Sequence, residues 1–173
     1  FLRLGELGKA KNHYLRALER RRESLELRYG LAAVLWEKGE YEELARLVGK
    51  ILETSPEDEF ASYFYALSLP VLGTACEKTI PVLQEQIRAR GPDPQLMNAL
   101  AQEYLKADLP QLAEGWLVRT LSRIEDHEQA LRSLIEVCSR LKDSAKMQKA
   151  YEDYLRFYPR DLSARREFAR LLF

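Results

Sequence analysis

The residues in this chain best equipped for chemistry are two histidines, His13 and His127, two cysteines, Cys76 and Cys138, and a large set of carboxylates. Acid–base or nucleophilic work needs such a group beside a partner that orients it or takes its proton, at a spacing that brings both to one face. His13 lies on a helical pattern among charged neighbours and His127 falls in a connection between helices. Neither has a nucleophile or carboxylate at a suitable spacing. The cysteines lie far apart with no paired Cys or His, which excludes a zinc or redox motif and leaves them as small apolar fillers. The acidic groups Glu40, Glu42, Glu43 and Glu57, Asp58, Glu59 stand at helix starts, where the helix dipole favours negative charge. No Gly-rich phosphate loop, metal-ligand pair on one helix or nucleophile elbow occurs. The expectation is therefore a non-enzymatic chain with no catalytic residue, cofactor or metal, whose work is done by a surface.

Composition agrees with a folded surface of this kind. Of 173 residues, 46% are hydrophobic and 31% charged, enough to form a core under a solvated exterior. The 27 basic and 27 acidic residues balance, so no global field draws in nucleic acid or anionic lipid. No run approaches the roughly 18 unbroken apolar residues of a membrane span.

The elements that must build this surface are amphipathic helices in pairs. Leu27 to Trp36 and Tyr41 to Leu52 form one pair, split by Lys38-Gly39-Glu40 and followed by Ser55-Pro56. The pair repeats. Gly5, Gly39 and Gly73 are 34 residues apart, as are Tyr14, Val48 and Val82. A second run at the same spacing joins Leu100, Leu134 and Phe168, then Tyr104, Cys138 and Leu172. Ala66 to Ala101 is 35 residues, so the frame slips once, between Gly73 and Ala99.

These residues resemble the tetratricopeptide repeat family, whose unit of 34 residues carries small, aromatic and late-proline positions. Leu31-Ala32, Leu35, Gly39, Tyr41, Leu44, Val48, Ile51 and Pro56 match it in one copy. Leu134-Ile135, Cys138, Met147, Tyr151, Tyr154 and Pro159 match it in another. Asp108 and Lys142 depart from it by standing where the family prefers Gly, and Thr120 stands where Ala is usual. The resemblance covers nearly the whole chain. It implies an all-α, right-handed α-solenoid of antiparallel helix pairs, with repeats near 1–24, 25–58, 59–93, 94–127, 128–161 and 162–173, the first and last partial. That frame starts the chain inside one repeat and ends it in the first helix of another, as in a piece of a longer array. Eleven helical segments are expected.

In chain order, Phe1 to Leu4 is the expected tail of a first helix and Glu6 to Arg22 its partner. Lys9, Lys11, Arg16, Arg20, Arg21 and Arg22 lie on the side of that partner away from Leu7, Ala10, Tyr14, Ala17 and Leu18. A solvated helix face accounts for this basic run; a specific acidic partner is the alternative. Ser55-Pro56 is expected to cap the next helix, through Leu72. A helix then begins either near Ala75, with Pro81 in its interior, or near Thr79, with Pro81 in the first turn. Asp93 and Pro94 open one later helix, Pro110 another, and Asp161 caps the last. Leu134 is expected in the core.

In the tetratricopeptide family the first helix of each pair lines the inner surface. The resemblance then assigns a partner-binding groove to Tyr29, Trp36, Phe60, Tyr63, Phe64, Leu67, Asn98, Gln102, Arg132, Arg140, Arg166 and Arg170. Its first half is aromatic and its later part rich in arginine, residue types that dominate protein interfaces. Part of the aromatic set, Tyr63 and Phe64 among them, can equally be packing between repeats. The expected partner is a protein or peptide, apolar in one part and acidic in another. The lysine–arginine pair of carboxylate-clamp relatives is absent, reading Gln129 and Arg132 or Ser133, so a chaperone tail is not expected. Self-assembly through the apolar ends Phe1, Leu2, Leu4, Phe168, Leu171, Leu172 and Phe173 is the alternative. An RNA-binding array like the pentatricopeptide family is disfavoured by the period and the neutral charge.

Overall fold

The computed structural model describes residues 4–172, and ten α-helices form among the described residues. They are α1 (Leu4–Arg20), α2 (Leu25–Lys38), α3 (Tyr41–Thr54), α4 (Glu59–Val71), α5 (Cys76–Arg90), α6 (Pro94–Lys106), α7 (Pro110–Leu121), α8 (Glu128–Arg140), α9 (Ser144–Phe157) and α10 (Leu162–Leu172). Leu4 and Gly5 belong to α1, so the turn expected at Gly5 does not form there. The rest of the expected first-helix stub, and the apolar end residues Phe1, Leu2 and Phe173, lie outside the described residues. The chain divides into two compact units, one reaching to Thr74 with α1–α4 and one starting at Ala75 with α5–α10.

The same turn ends four of the helices, α2, α4, α6 and α8. Gly39, Gly73, Asp108 and Lys142 each take a left-handed backbone, at φ 73°, 70°, 56° and 55°. In each case the next N–H reaches back five residues: Glu40 to the Leu35 carbonyl, Thr74 to Leu69, Leu109 to Tyr104 and Asp143 to Cys138, at 2.9–3.2 Å. The left-handed residue itself donates three residues back, to Trp36, Pro70, Leu105 and Ser139. This double bond satisfies carbonyls that a helix end would otherwise leave open. Asp108 and Lys142, out of keeping with the family pattern, thus hold the ordinary turn without glycine.

Helix starts correct one expectation. Ser55 closes α3, its N–H bonding the Ile51 carbonyl at 2.8 Å, and Asp58 caps α4 by accepting the Ala61 N–H at 2.8 Å. The proline is therefore in the connection, because Asp58 is the better cap and sits directly before the apolar run. Ala75 precedes α5 without a side-chain cap, and Pro81 lies inside that helix, near the first of the two alternatives. Asp93, Asp143 and Asp161 cap α6, α9 and α10 as carboxylate acceptors. Thr120, buried in place of Ala, donates its hydroxyl to the Trp116 carbonyl at 3.0 Å, which removes the cost of burying a polar group.

In the first unit Leu31, Ala32 and Leu35 of α2 meet Leu44, Val48 and Ile51 of α3 and Ala61 of α4. Gly30 is the close approach of α1 to α2: a Cβ there would stand 2.3 Å from the Tyr14 ring. In the second unit Leu96, Met97, Leu100 and Ala101 of α6 are buried, as are Ala113 and Leu117 of α7. Leu131, Tyr151, Tyr154 and Ala164 form a further cluster with Phe168 and Leu171 at its edge. Leu134 departs from expectation. It is half-buried, because its outer side opens into a cleft of about 370 Å³ between α7 and α9. Ala169 is exposed, while its counterparts Ala32, Ala66 and Ala101 are buried, since α10 packs on α9 alone among the described residues.

Two stability changes follow. Gly39→Ala should cost about 1 kcal/mol and Lys142→Gly should gain about 0.5–1 kcal/mol, since only glycine takes the left-handed region without a Cβ clash. Urea midpoints of the two variants should move in opposite directions. Pro81→Ala should stabilise α5 by about 1–3 kcal/mol by restoring an N–H to the helix interior, seen as a raised melting temperature; an unchanged or lowered one would place Pro81 outside the helix interior.

Candidate partner-binding surface

Within the first unit α2 packs directly on α4, and the aromatic residues assigned to the groove meet along that contact. Tyr29 and Phe60 have ring centroids 4.4 Å apart, Phe60 and Phe64 4.7 Å, and Trp36 and Phe64 6.0 Å. Tyr63 stands edge-on to Phe64 at 5.3 Å, and Tyr41 of α3 edge-on to Trp36 at the same distance. Tyr29, Trp36, Phe60 and Phe64 each rest one side on the core and keep part of the ring at the surface. They are packing and surface at once. The Tyr29 hydroxyl donates to the Asp58 carboxylate, the same group that caps α4, and that bond, helped by burial, raises the phenol above its ordinary range. Leu67 is buried, 4% exposed, which removes it from the surface to which it was assigned. Its place on the helix turns it toward the core.

In the second unit four of the assigned polar residues, Asn98, Gln102, Arg132 and Arg140, are already paired. Asn98 is 4% exposed and donates its amide to Gln129 Oε1 at 3.0 Å; Gln102 donates to the Ser133 hydroxyl, which donates to the Gln129 carbonyl at 2.8 Å. These bonds join α6 to α8. Arg132 corrects the expectation of a free fork: Nη2 binds Asp161 at 2.8 Å, Nε binds Glu128 at 3.1 Å, and the guanidinium lies 4.8 Å from the Tyr154 ring centre. Arg140 does likewise, donating to the Leu105 carbonyl at 2.7 Å and to Glu136 at 2.6 Å, with Asp108 at 3.5 Å. Both arginines tie α8 to its neighbours. Arg166 and Arg170 on α10 are exposed, and their side chains make no ion pair among the described residues.

The Arg132 network adds residues that the sequence reading left to packing. Tyr154 donates its hydroxyl to Asp161 at 2.8 Å and stacks on Tyr158 at 5.0 Å, and the two wall a cleft of about 430 Å³ with Phe157. Burial, then the bond to Asp161, pushes the Tyr154 phenol up to about 12. Asp161 is held below the usual carboxylate range by the Ala164 N–H first, then by Tyr154 and Arg132. The signal was present in the i+29 spacing, which repeats from Tyr29–Asp58 to Arg132–Asp161. It joins a residue early in one first helix to the cap of the next.

The residues suited to chemistry take structural places. His127 caps α8, its Nδ1 accepting the Ala130 N–H at 3.2 Å, and His13 is exposed on α1. Cys138 is buried and Cys76 half-buried, and burial lifts both thiols above their ordinary range. Among the described residues no group of three or more His, Cys, Asp or Glu is placed to hold a metal ion, and no helix is long and apolar enough to cross a membrane.

An all-α array of hairpins, each closed by a left-handed residue, defines a helical-repeat protein, and comparison with solved structures names the repeat. A thermophilic tetratricopeptide repeat protein of Thermus thermophilus aligns over 98% of this chain and 92% of its own, at 20% identity and TM-score 0.67. YrrB, described as a tetratricopeptide repeat protein with an unusual peptide-binding site, covers 94% of this chain and 84% of its own, at 18% identity and TM-score 0.69. MamA from Desulfovibrio magneticus RS-1 covers 91% and 89%, at 15% identity and TM-score 0.72. The chain has the tetratricopeptide repeat fold. No family model and no curated protein matches its sequence.

The Asp161 network makes the end of the second unit acid-sensitive. A carboxylate held low in the folded state contributes stability that is present above its unfolded pKa and is lost as pH falls through the folded value. Melting temperature should therefore fall below about pH 4, and Asp161→Asn should lower it at neutral pH while flattening that acid slope. An unchanged slope would show that other carboxylates carry the effect.

Proposed function

We propose that this chain is a protein-interaction module, an adapter that holds a partner peptide or helix against the aromatic face of α2 and α4. The observation that carries the proposal is the unbroken run of partly exposed rings from Tyr29 through Phe60 and Phe64 to Trp36. A solvated helix face has no use for four such rings. Their inner sides are fixed by the core, so a partner meets surfaces that lose little conformational freedom on binding. The peptide-binding site attributed to YrrB, which shares the fold, supports the same class of partner. The partner segment is apolar where it meets these rings. An acidic partner of the second unit would find its carboxylates matched by the forks of Arg166 and Arg170 rather than by those of Arg132 and Arg140.

The test is selection of binders from a displayed peptide library against the whole chain, followed by titration of the best of them. Selected peptides should carry large apolar side chains and shift the fluorescence of Trp36. Trp36→Ala or Phe64→Ala should cost roughly 2 kcal/mol or more of affinity, and Arg166→Ala should mainly flatten its salt dependence. Peptides whose binding survives both aromatic changes would place the site elsewhere.

A further inference from the structure

We propose that the cleft between α7 and α9 is a second docking site, which receives one large apolar side chain of a partner polypeptide. The chain itself supplies the comparison that singles this cleft out. Leu31, Leu100 and Leu134 hold the same repeat position, on α2, α6 and α8. The first two are 4% and 0% exposed, whereas Leu134 is half-buried. Sixteen residues after each, on the returning helix, stand Leu47, Trp116 and Ala150. Four residues after each stand Leu35, Tyr104 and Cys138. Leu47 packs against the core cluster that holds Leu31 and Leu35. The third hairpin has the smallest residue at both places, and there the cleft of about 370 Å³ opens, with Leu134, Cys138 and Ala150 in its lining.

The ties between the outer helices do not account for the difference. Glu114 of α7 binds Lys146 of α9 at 2.6 Å. Lys11 of α1 and Glu43 of α3 stand at the same two repeat positions with the signs exchanged, and they too are bound, at 2.5 Å. Both pairs of outer helices are joined at matching points, so the cleft reflects the side-chain volume that Ala150 and Cys138 do not carry.

The occupant follows from what fills the same place elsewhere in the chain: a leucine in one hairpin and a tryptophan in another, each carried on a polypeptide. The walls suit such a group. Val118, 53% exposed, and Leu121 form an apolar wall on α7, and a side chain laid against them removes apolar surface from water. On the α9 side Lys149 and Asp153, one turn apart and in no ion pair among the described residues, present one charge of each sign. That rim suits the carbonyl and N–H groups on either side of an inserted residue. An anionic lipid head would instead meet the carboxylates of Glu114 and Asp153. The volume lies at the small end of the range for ligand sites, which fits one side chain rather than a row of them.

The probes are N-acetyl-tryptophanamide, N-acetyl-leucinamide and N-acetyl-alaninamide, titrated into the whole chain with isotope-labelled leucine methyl groups. The first two should move the Leu134 methyl resonances saturably and the third should not. Ala150→Leu should raise the melting temperature, as cavity-filling changes do, and should abolish those shifts, because it supplies from within what the probe supplies from outside. Val118→Asp, at an exposed position that the fold does not depend on, should weaken the tryptophan probe roughly tenfold by placing a charge against it. Trp36→Ala should leave the titration unchanged, which separates this site from the aromatic surface of the first unit. Tighter binding of octanoate than of the tryptophan amide would make the cleft a site for a small amphiphile and overturn the proposal. So would an unmoved Leu134 with both large probes, shifts that survive Ala150→Leu or Val118→Asp, or a melting temperature that Ala150→Leu leaves unchanged or lowers.

Discussion

Everything in these two units hangs on how a helix ends. One residue in the left-handed region turns the chain, and two backbone hydrogen bonds close behind it, at Gly39, Gly73, Asp108 and Lys142 alike. Within a unit that geometry leaves a single residue before the next helix begins, so α3, α7 and α9 return antiparallel against α2, α6 and α8. The stripe of each helix is thereby aimed at its neighbour, and Leu35 meets Leu44 and Val48 without a longer connection to adjust the register. Glycine makes the turn cheap. Asp108 and Lys142 show that the bonds, not the residue type, are what the repeat requires.

The second constraint is polar and runs between neighbouring first helices. Tyr29 reaches the cap Asp58, Asn98 reaches Gln129, Gln102 reaches Ser133, and Arg132 reaches the cap Asp161. Each bond joins residues about one repeat apart, so each fixes the position of one hairpin on the next. Asp58 and Asp161 serve twice, as caps for their own helices and as acceptors for a side chain from the preceding repeat. An aspartate held by backbone N–H groups is already oriented, and a donor that finds it binds a fixed target. These groups belong to the architecture before they belong to any ligand.

This explains which parts of the molecule were legible in the sequence. Helix pairs, their spacing and the caps at Asp93 and Asp161 are local matters, settled by residues within a few positions of one another, whereas the place of Pro81 was left between two helix starts. The exchange of Ser55 for Asp58 as a cap is local too, but it turns on which of two good caps lies next to the apolar run. The arginines of α8 and α10 were harder. Their place on a helix face follows from period alone, whereas their occupation depends on what the next hairpin presents at the same height. Arg132 and Arg166 share a face and a spacing of 34 residues, yet the first meets Glu128 and Asp161 while the second is exposed without an ion pair. Leu134 teaches the same lesson for apolar residues. Its position in the repeat matches Leu100, but α7 and α9 do not close over it.

Zero net charge conceals a sorting of charge by role. In the first unit Lys11, Lys38, Glu40 and Glu43 are drawn into one network at the α2–α3 turn, where hydrogen bonds to the lysines hold Glu40 below the usual carboxylate range and raise Lys11. Acids and bases so used cannot neutralise anything else. What remains on α2 and α4 is a run of rings whose inner sides rest on the core. A surface of mixed charge satisfies itself with water and its own neighbours, whereas a run of half-exposed rings gains most from a partner that covers it.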